Sequence, residues 1–242
     1  MGDKGAATLG PPQHALLMAL LAEEAIQALG QLPAEELLAE GVRHYGHQRG
    51  ARMAQRAARL GLPLDWVSYQ ALGEWAAPHH PHTGRTLEAA PQWRRIVTGC
   101  PWNDAWAAEG AQHLGKLYCA HVDAALVEGF SCQMAYDVRQ TLSAGDPCCE
   151  FVAAGYALTD EDLTRLEELR ARLGQRAVMP WDYHLAHLYW SMRHTLEAHT
   201  GAAGSAIAER ALQRLASRLG SSVSEAILRH ADTDWNHAPD MP

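Results

Sequence analysis

One segment of this chain alternates apolar and polar residues at a period of two. From residue 133 to 142, Met134, Tyr136 and Val138 fall on one side, and Ser143-Ala144-Gly145-Asp146 separates this run from Cys149-Glu150-Phe151-Val152. Successive strand side chains point to opposite faces, so the pattern predicts an antiparallel hairpin closed by a short turn. Elsewhere the apolar residues recur mainly at helical spacing. The predicted class is α+β, predominantly helical, with a small antiparallel β-sheet.

The helices can be placed from their punctuation. Leu16, Leu17, Leu20 and Leu21 open an amphipathic helix that Gly30 is placed to stop. Pro33 with Glu35 and Glu36 starts a second, whose apolar face runs through Leu37, Leu38, Val42 and Tyr45 toward Met53 and Leu60. Gly41, Gly46 and Gly50 make that helix unusually permissive. Residues 73–91, with four Pro or Gly positions around His79-His80-Pro81-His82, read as a long loop. Residues 101–130 read as two helices broken between Gly110 and Gly115, which sets Cys119 and Asp123, four apart, on one helix face. Thr159-Asp160-Glu161-Asp162 caps a charged helix, and two more follow near 183–198 and 203–219. Residues 1–13, rich in Gly and Pro, are expected to form a flexible N-terminal arm, and residues 14–242 a single domain.

Composition narrows the function classes. A net charge of −8 argues against a nucleic-acid or anionic-membrane surface, which needs clustered Lys and Arg. The five cysteines cannot all pair, and their spacing is neither a zinc-finger pattern nor a secreted disulfide framework, so reduced thiols in a cytoplasmic protein are expected. The apolar run at residues 15–22 is short, lacks a basic leader and ends in Glu23-Glu24, so it reads as neither signal peptide nor membrane span. The expected partner is a small-molecule substrate, and a homo-oligomer is the base-rate expectation.

All five cysteines lie between Thr98 and Phe151, together with His121, Asp123 and Asp146, and the candidate chemistry gathers there. Cys100 stands between Gly99 and Pro101 at a helix start, where backbone N–H groups favour a thiolate. Cys119 and Asp123 would present a thiol and a carboxylate to one pocket. His184 and His187, three apart on a helix, would reach one substrate or one metal ion. His47 and Arg49 put positive charge on a helix face suited to a substrate carboxylate, and Tyr189 supplies an aromatic wall. Each also has a structural reading: the cysteines and aromatics as core, Asp123 as a cap or ion-pair partner, Arg52 in surface salt bridges, and the 79–82 histidines as a solvated loop. No spacing assigns a cofactor or a metal, although the donor set is compatible with a divalent ion such as zinc.

Several of these elements resemble the family of L-2-amino-thiazoline-4-carboxylic acid hydrolase-like proteins. They are His44-Tyr45-Gly46-His47-Gln48-Arg49-Gly50, Gly99-Cys100-Pro101, Tyr118-Cys119 with Asp123, Gly145-Asp146 with Cys149 and Phe151, and Asp182-Tyr183-His184-Leu185-Ala186-His187-Leu188-Tyr189. The resemblance implies a hydrolase acting at an amidine-like or thioamide carbon of a small sulfur heterocycle, by C–N cleavage or by release of hydrogen sulfide. It implies catalytic roles for Cys100, Cys119, Asp123, His184 and His187, and substrate contacts from His47, Arg49, Cys149 and Tyr189. The hairpin ending Gly145-Asp146 to Cys149 and Phe151 also resembles small-molecule-binding domains of the vinyl-reductase type, which implies ligand binding without turnover as the rival reading.

Overall fold

The computed structural model describes residues 9–239. In chain order its elements are α1 (Pro11–Leu29), α2 (Gln31–Arg59), α3 (Trp66–Ala71), β1 (Thr83–Glu88), β2 (Trp93–Gly99), α4 (Pro101–Ala108), α5 (Gln112–Cys119), α6 (Val122–Phe130), β3 (Ala135–Gln140), β4 (Cys149–Ala154), α7 (Asp160–Leu173), α8 (Trp181–Thr200), α9 (Ala202–Leu219) and α10 (Ser221–Leu228). The chain is α+β and mostly helical, with a small antiparallel sheet. Its residues group into two compact units, one built from the chain up to Tyr45 with 101–118 and 180–233, the other from 46–100, 119–179 and the residues from Asp234 onward.

The first unit is helical. Pro11 opens α1, where its missing N–H costs no hydrogen bond, and Gly30 ends it with φ 85°. Of the expected arm, Pro11–Gln13 therefore belong to a helix, and residues 1–8 lie outside the described residues. His14 is fully buried, and Trp102 Nε1 donates to its Nδ1 at 3.1 Å. That leaves the proton on Nε2, which donates to the Tyr45 hydroxyl at 3.0 Å and holds the imidazole neutral. The helix α10 was not foreseen; it packs on α8 and α9 through Val223, Ala226 and Ile227.

The second unit holds the sheet, in the order β1-β2-β4-β3 with every pair antiparallel. The predicted hairpin is β3 and β4, with Tyr136 opposite Ala153 and Val138 opposite Phe151. The loop expected over 73–91 is corrected in its second half: Thr83–Glu88 form β1, and Trp93–Gly99 form β2 beside it. β1 is an edge strand exposed along almost its whole length, so no buried face imposed an alternation on its sequence. In β2, Trp93, Arg95 and Val97 register with Ala153, Phe151 and Cys149, which places Tyr136, Val138 and these six residues on one face of the sheet. On the opposite face Arg94 pairs with Glu88 at 3.1 Å and with Glu150 at 2.8 Å.

Two contacts fix what lies above the inner face. A Cβ on Gly50 would strike the backbone of Leu126 and Phe130, and one on Gly129 would strike the carbonyl of His47, so α2 and α6 meet backbone to backbone. Further along α2, Arg49, Arg52 and Arg56 project inward at helical spacing onto Glu74. Arg52 grips both carboxylate oxygens at 3.2 and 3.1 Å, Arg56 donates at 2.7 Å, and Arg49 lies 3.5 Å away with its guanidinium 3.8 Å over the Trp75 ring. Arg52 also donates to the Trp235 carbonyl at 2.8 Å, and Gln48 and Gln55 bind Asn236, so the segment from Asp234 lies along α2. The surface salt bridges expected of Arg52 are thus replaced by a buried cluster, because Glu74 arrives from the chain after α3 rather than from α2 itself.

Glu74→Gln should destabilise the protein by about 3–5 kcal/mol, since it leaves buried guanidinium groups without their counter-charge. Urea unfolding measures this, and an unchanged midpoint would mean that the cluster reaches water.

Candidate active site

Asp123 sits in the first turn of α6, where the free N–H groups favour a carboxylate, and the glycine contact between α6 and α2 brings that turn toward Arg49. The side chain keeps some accessible surface, yet desolvation pushes its carboxyl up to about 6 against the opposing pull of Arg49 and Arg95. A carboxylate that is partly accessible yet strongly desolvated marks a candidate site.

Three thiols share that site. Cys149 begins β4 on the inner face, its Sγ accepts from the Leu142 N–H at 3.4 Å, and burial pushes its thiol up to about 11. Cys119 ends α5 and hydrogen-bonds the Ser143 side chain; burial pushes it well above the ordinary thiol range, with Asp123, Cys100 and Cys149 adding to the shift. Cys100 packs against the Val97, Cys149 and Phe151 cluster. Both hydrogen bonds to sulfur come from the 3-10 turn Leu142–Ala144 that joins β3 and β4. Asp146 supports that turn by accepting from the Thr141 N–H at 2.8 Å, a structural role. Among the described residues none of the five cysteines is in a disulfide.

Aromatic side chains complete the surroundings. Tyr136 on β3 stacks on Phe151 with the rings 5.5 Å apart and nearly parallel, and Tyr69 on α3 packs edge-on against Phe130. Burial and the nearby Asp123 charge raise both phenols, so both stay protonated and able to donate.

The structure thus brings Cys100, Cys119, Asp123, Cys149 and Arg49 into one unit and one electrostatic neighbourhood. It corrects the shared helix: α5 stops at Cys119 and α6 begins at Val122, because His121 takes a non-helical φ of −129° and restarts the ladder by accepting from Ala125. Cys119 and Asp123 are therefore presented by two helix ends. His47 is exposed on α2 while Arg49 is buried, since two residues along a helix face different ways. His184, His187 and Tyr189 belong to the other, helical unit and are fully buried there. The His187 ring lies 4.5 Å from that of Tyr45, His184 packs on Trp181 and Tyr183, and Tyr189 accepts from Arg193. No group of three or more His, Cys, Asp or Glu side chains among the described residues is arranged to hold a metal ion, the 79–82 histidines included.

Sequence reasoning passed over Arg95, Tyr69, Tyr136 and Ser143. The alternation of Trp93, Arg95 and Val97 in β2 carried the signal for Arg95, and Tyr136 was read only as part of the strand pattern.

Because the folded protein holds Asp123 above its ordinary value of 3.8, the native state binds more protons than the unfolded chain between about 4 and 6, and its stability falls as pH rises through that window. Asp123→Asn should therefore raise the unfolding free energy at pH 7.5, by up to about 3 kcal/mol, with the gain fading below about pH 4. Thermal unfolding of both proteins across pH measures it; equal melting temperatures at pH 7.5 would mean that the carboxylate is well solvated.

No curated protein and no solved structure matches the chain. A family model does, over residues 13–152, a span that includes Arg49, Tyr69, Arg95, Cys100, Cys119, Asp123, Tyr136, Ser143 and Cys149 and stops short of α7 and α8. The resemblance drawn through Asp182–Tyr189 thus lies beyond the matched span. That model describes L-2-amino-thiazoline-4-carboxylic acid hydrolase, and since it matches more than half of the chain and takes in the whole constellation around Asp123, the protein belongs to this hydrolase family.

Proposed function

We propose that the site around Asp123 hydrolyses a small five-membered sulfur heterocycle carrying a carboxylate, of the 2-aminothiazoline carboxylate or 2-thiohydantoin acid type, with Asp123 as general base. The observation that carries this reading is the Asp123 carboxyl, pushed up to about 6 in a site it shares with two guanidinium groups and three thiols. A base with that value is ionised at neutral pH and still basic enough to take a proton from a bound nucleophile.

Cys119 and Cys149 are held as neutral thiols, so neither supplies a preformed thiolate, and the mechanism takes water as the nucleophile. Asp123 takes one proton from water as its oxygen bonds to the amidine or thioamide carbon. The electron pair of the carbon–nitrogen or carbon–sulfur double bond moves onto the heteroatom, giving a tetrahedral intermediate. Tyr69 and Tyr136, both protonated, donate toward the charge that develops there. Collapse breaks a carbon–nitrogen or carbon–sulfur bond, and protonated Asp123 returns its proton to the departing ammonia, ring nitrogen or hydrosulfide. The neutral thiols line the pocket beside the substrate sulfur.

Three results follow for turnover of 2-aminothiazoline-4-carboxylate or a 2-thiohydantoin acid, followed as ammonia, hydrosulfide and ring-opened product. Asp123→Asn should lower kcat by about 10²- to 10⁴-fold. The rate should rise with pH to a plateau above about 6. Cys119→Ser should cost less than about tenfold, whereas loss of all turnover in that variant together with a covalent adduct trapped on Cys119 of the wild type would transfer the nucleophile to the thiol. Binding of both ring types without product would overturn the hydrolytic reading.

A further inference from the structure

We infer that Arg95 is the specificity-determining residue of this site, a guanidinium held open to grip the single carboxylate of a small substrate. The role of carboxylate selection in turnover rests on the hydrolytic reading above; the binding step does not.

Arg95 is set apart by what the other cations are doing. Arg52 and Arg56 are taken up by Glu74, and Arg49 lies between Glu74 and the Trp75 ring. On the far side of the sheet, the adjacent Arg94 is held by Glu88 and Glu150. Arg95 is half-buried on the inner face, and its side chain has no hydrogen bond or ion pair among the described residues, Asp123 included. Its charge is nevertheless felt by Asp123, Tyr69 and Tyr136, as it is by His82 and Arg170, so it lies within electrostatic reach of the Asp123 carboxyl. Withdrawing a guanidinium from water without a partner costs free energy that a bound anion restores.

The geometry of β2 aims this group. Arg95 is opposite Phe151 in the register, with Cys149 and Tyr136 on the same face, so an anion on its fork is presented beside the thiols and the phenols. The planar fork matches a carboxylate with two parallel N–H···O bonds. A doubly charged phosphate would meet the ionised Asp123 in the same desolvated space and be repelled, which favours a single negative charge.

The test uses the full-length protein and two probes, 2-aminothiazoline-4-carboxylate and its uncharged carboxamide, with calorimetric Kd as the first readout and kcat and KM as the second. The wild type should prefer the acid. Arg95→Gln should weaken acid binding by about a hundredfold, leave the carboxamide within about threefold, and raise KM far more than it lowers kcat. Arg95→Lys, which keeps the charge but not the fork, should recover only part of the preference. Removing Arg95 should also move the pH midpoint of the rate upward, since this cation opposes protonation of Asp123. Unfolding curves matching wild type confirm that each variant is folded. Equal loss of acid and carboxamide, undiminished acid binding by Arg95→Gln, or a wild type that binds neither probe would overturn the assignment. Acid-selective binding that depends on Arg95, without product, would uphold it while overturning the hydrolytic reading.

Discussion

Three guanidinium groups converge on the carboxylate of Glu74, and much of the second unit depends on that convergence. Arg49, Arg52 and Arg56 are carried by one face of α2, and each would be costly to bury alone. Because they are buried together around Glu74, that face of α2 is fixed, the chain after α3 is tied to it, and the carbonyl of Trp235 draws the segment from Asp234 alongside. The cluster stays cationic overall. Arg49, the member least engaged with Glu74, is also the one whose charge reaches Asp123.

The second constraint is steric. Gly50 and Gly129 remove the side chains that would keep α2 and α6 apart, and the backbones close on one another. Asp123, at the start of α6, is carried by that approach into desolvation that raises its carboxyl, while Arg49 and Arg95 pull the other way. The balance leaves a carboxyl raised to about 6. The thiols of Cys119 and Cys149 and the phenols of Tyr69 and Tyr136 are all driven toward their neutral forms by the same burial.

The class of fold was legible because long helices and one hairpin announce themselves through periodicity: the β3–β4 pair, the Gly30 stop and the Thr159 capping box all stand where local chemistry placed them. What escaped was everything fixed by partners distant in sequence. β1 is exposed and carries no alternation, and the break between Cys119 and Val122 has no Gly or Pro to mark it. Cys100, Cys119, Asp123 and Cys149 were visible as a cluster in sequence and are neighbours in space. The histidines of α8 looked equally chemical, but they are fully buried against aromatic rings in the helical unit, and nothing in the i, i+3 spacing distinguishes a packed pair from a functional one. Arg95 was hidden for the opposite reason, since its meaning lies in the lack of a partner, which no sequence pattern records.

The adjacent arginines of β2 differ only in which way the pleat turns them. Arg94 is neutralised in a ladder of surface charge, and Arg95, one residue on, faces Phe151 and the thiols. An insertion or deletion of one residue between β1 and β2 that shifted the pairing would exchange the two, sending one guanidinium to solvent and the other inward from a different height. Composition, net charge and the Arg-Arg pair itself would all survive such a slip. In divergent members of the family, the phase of this strand relative to β4 would therefore be a better guide to anion selectivity than the presence of arginine.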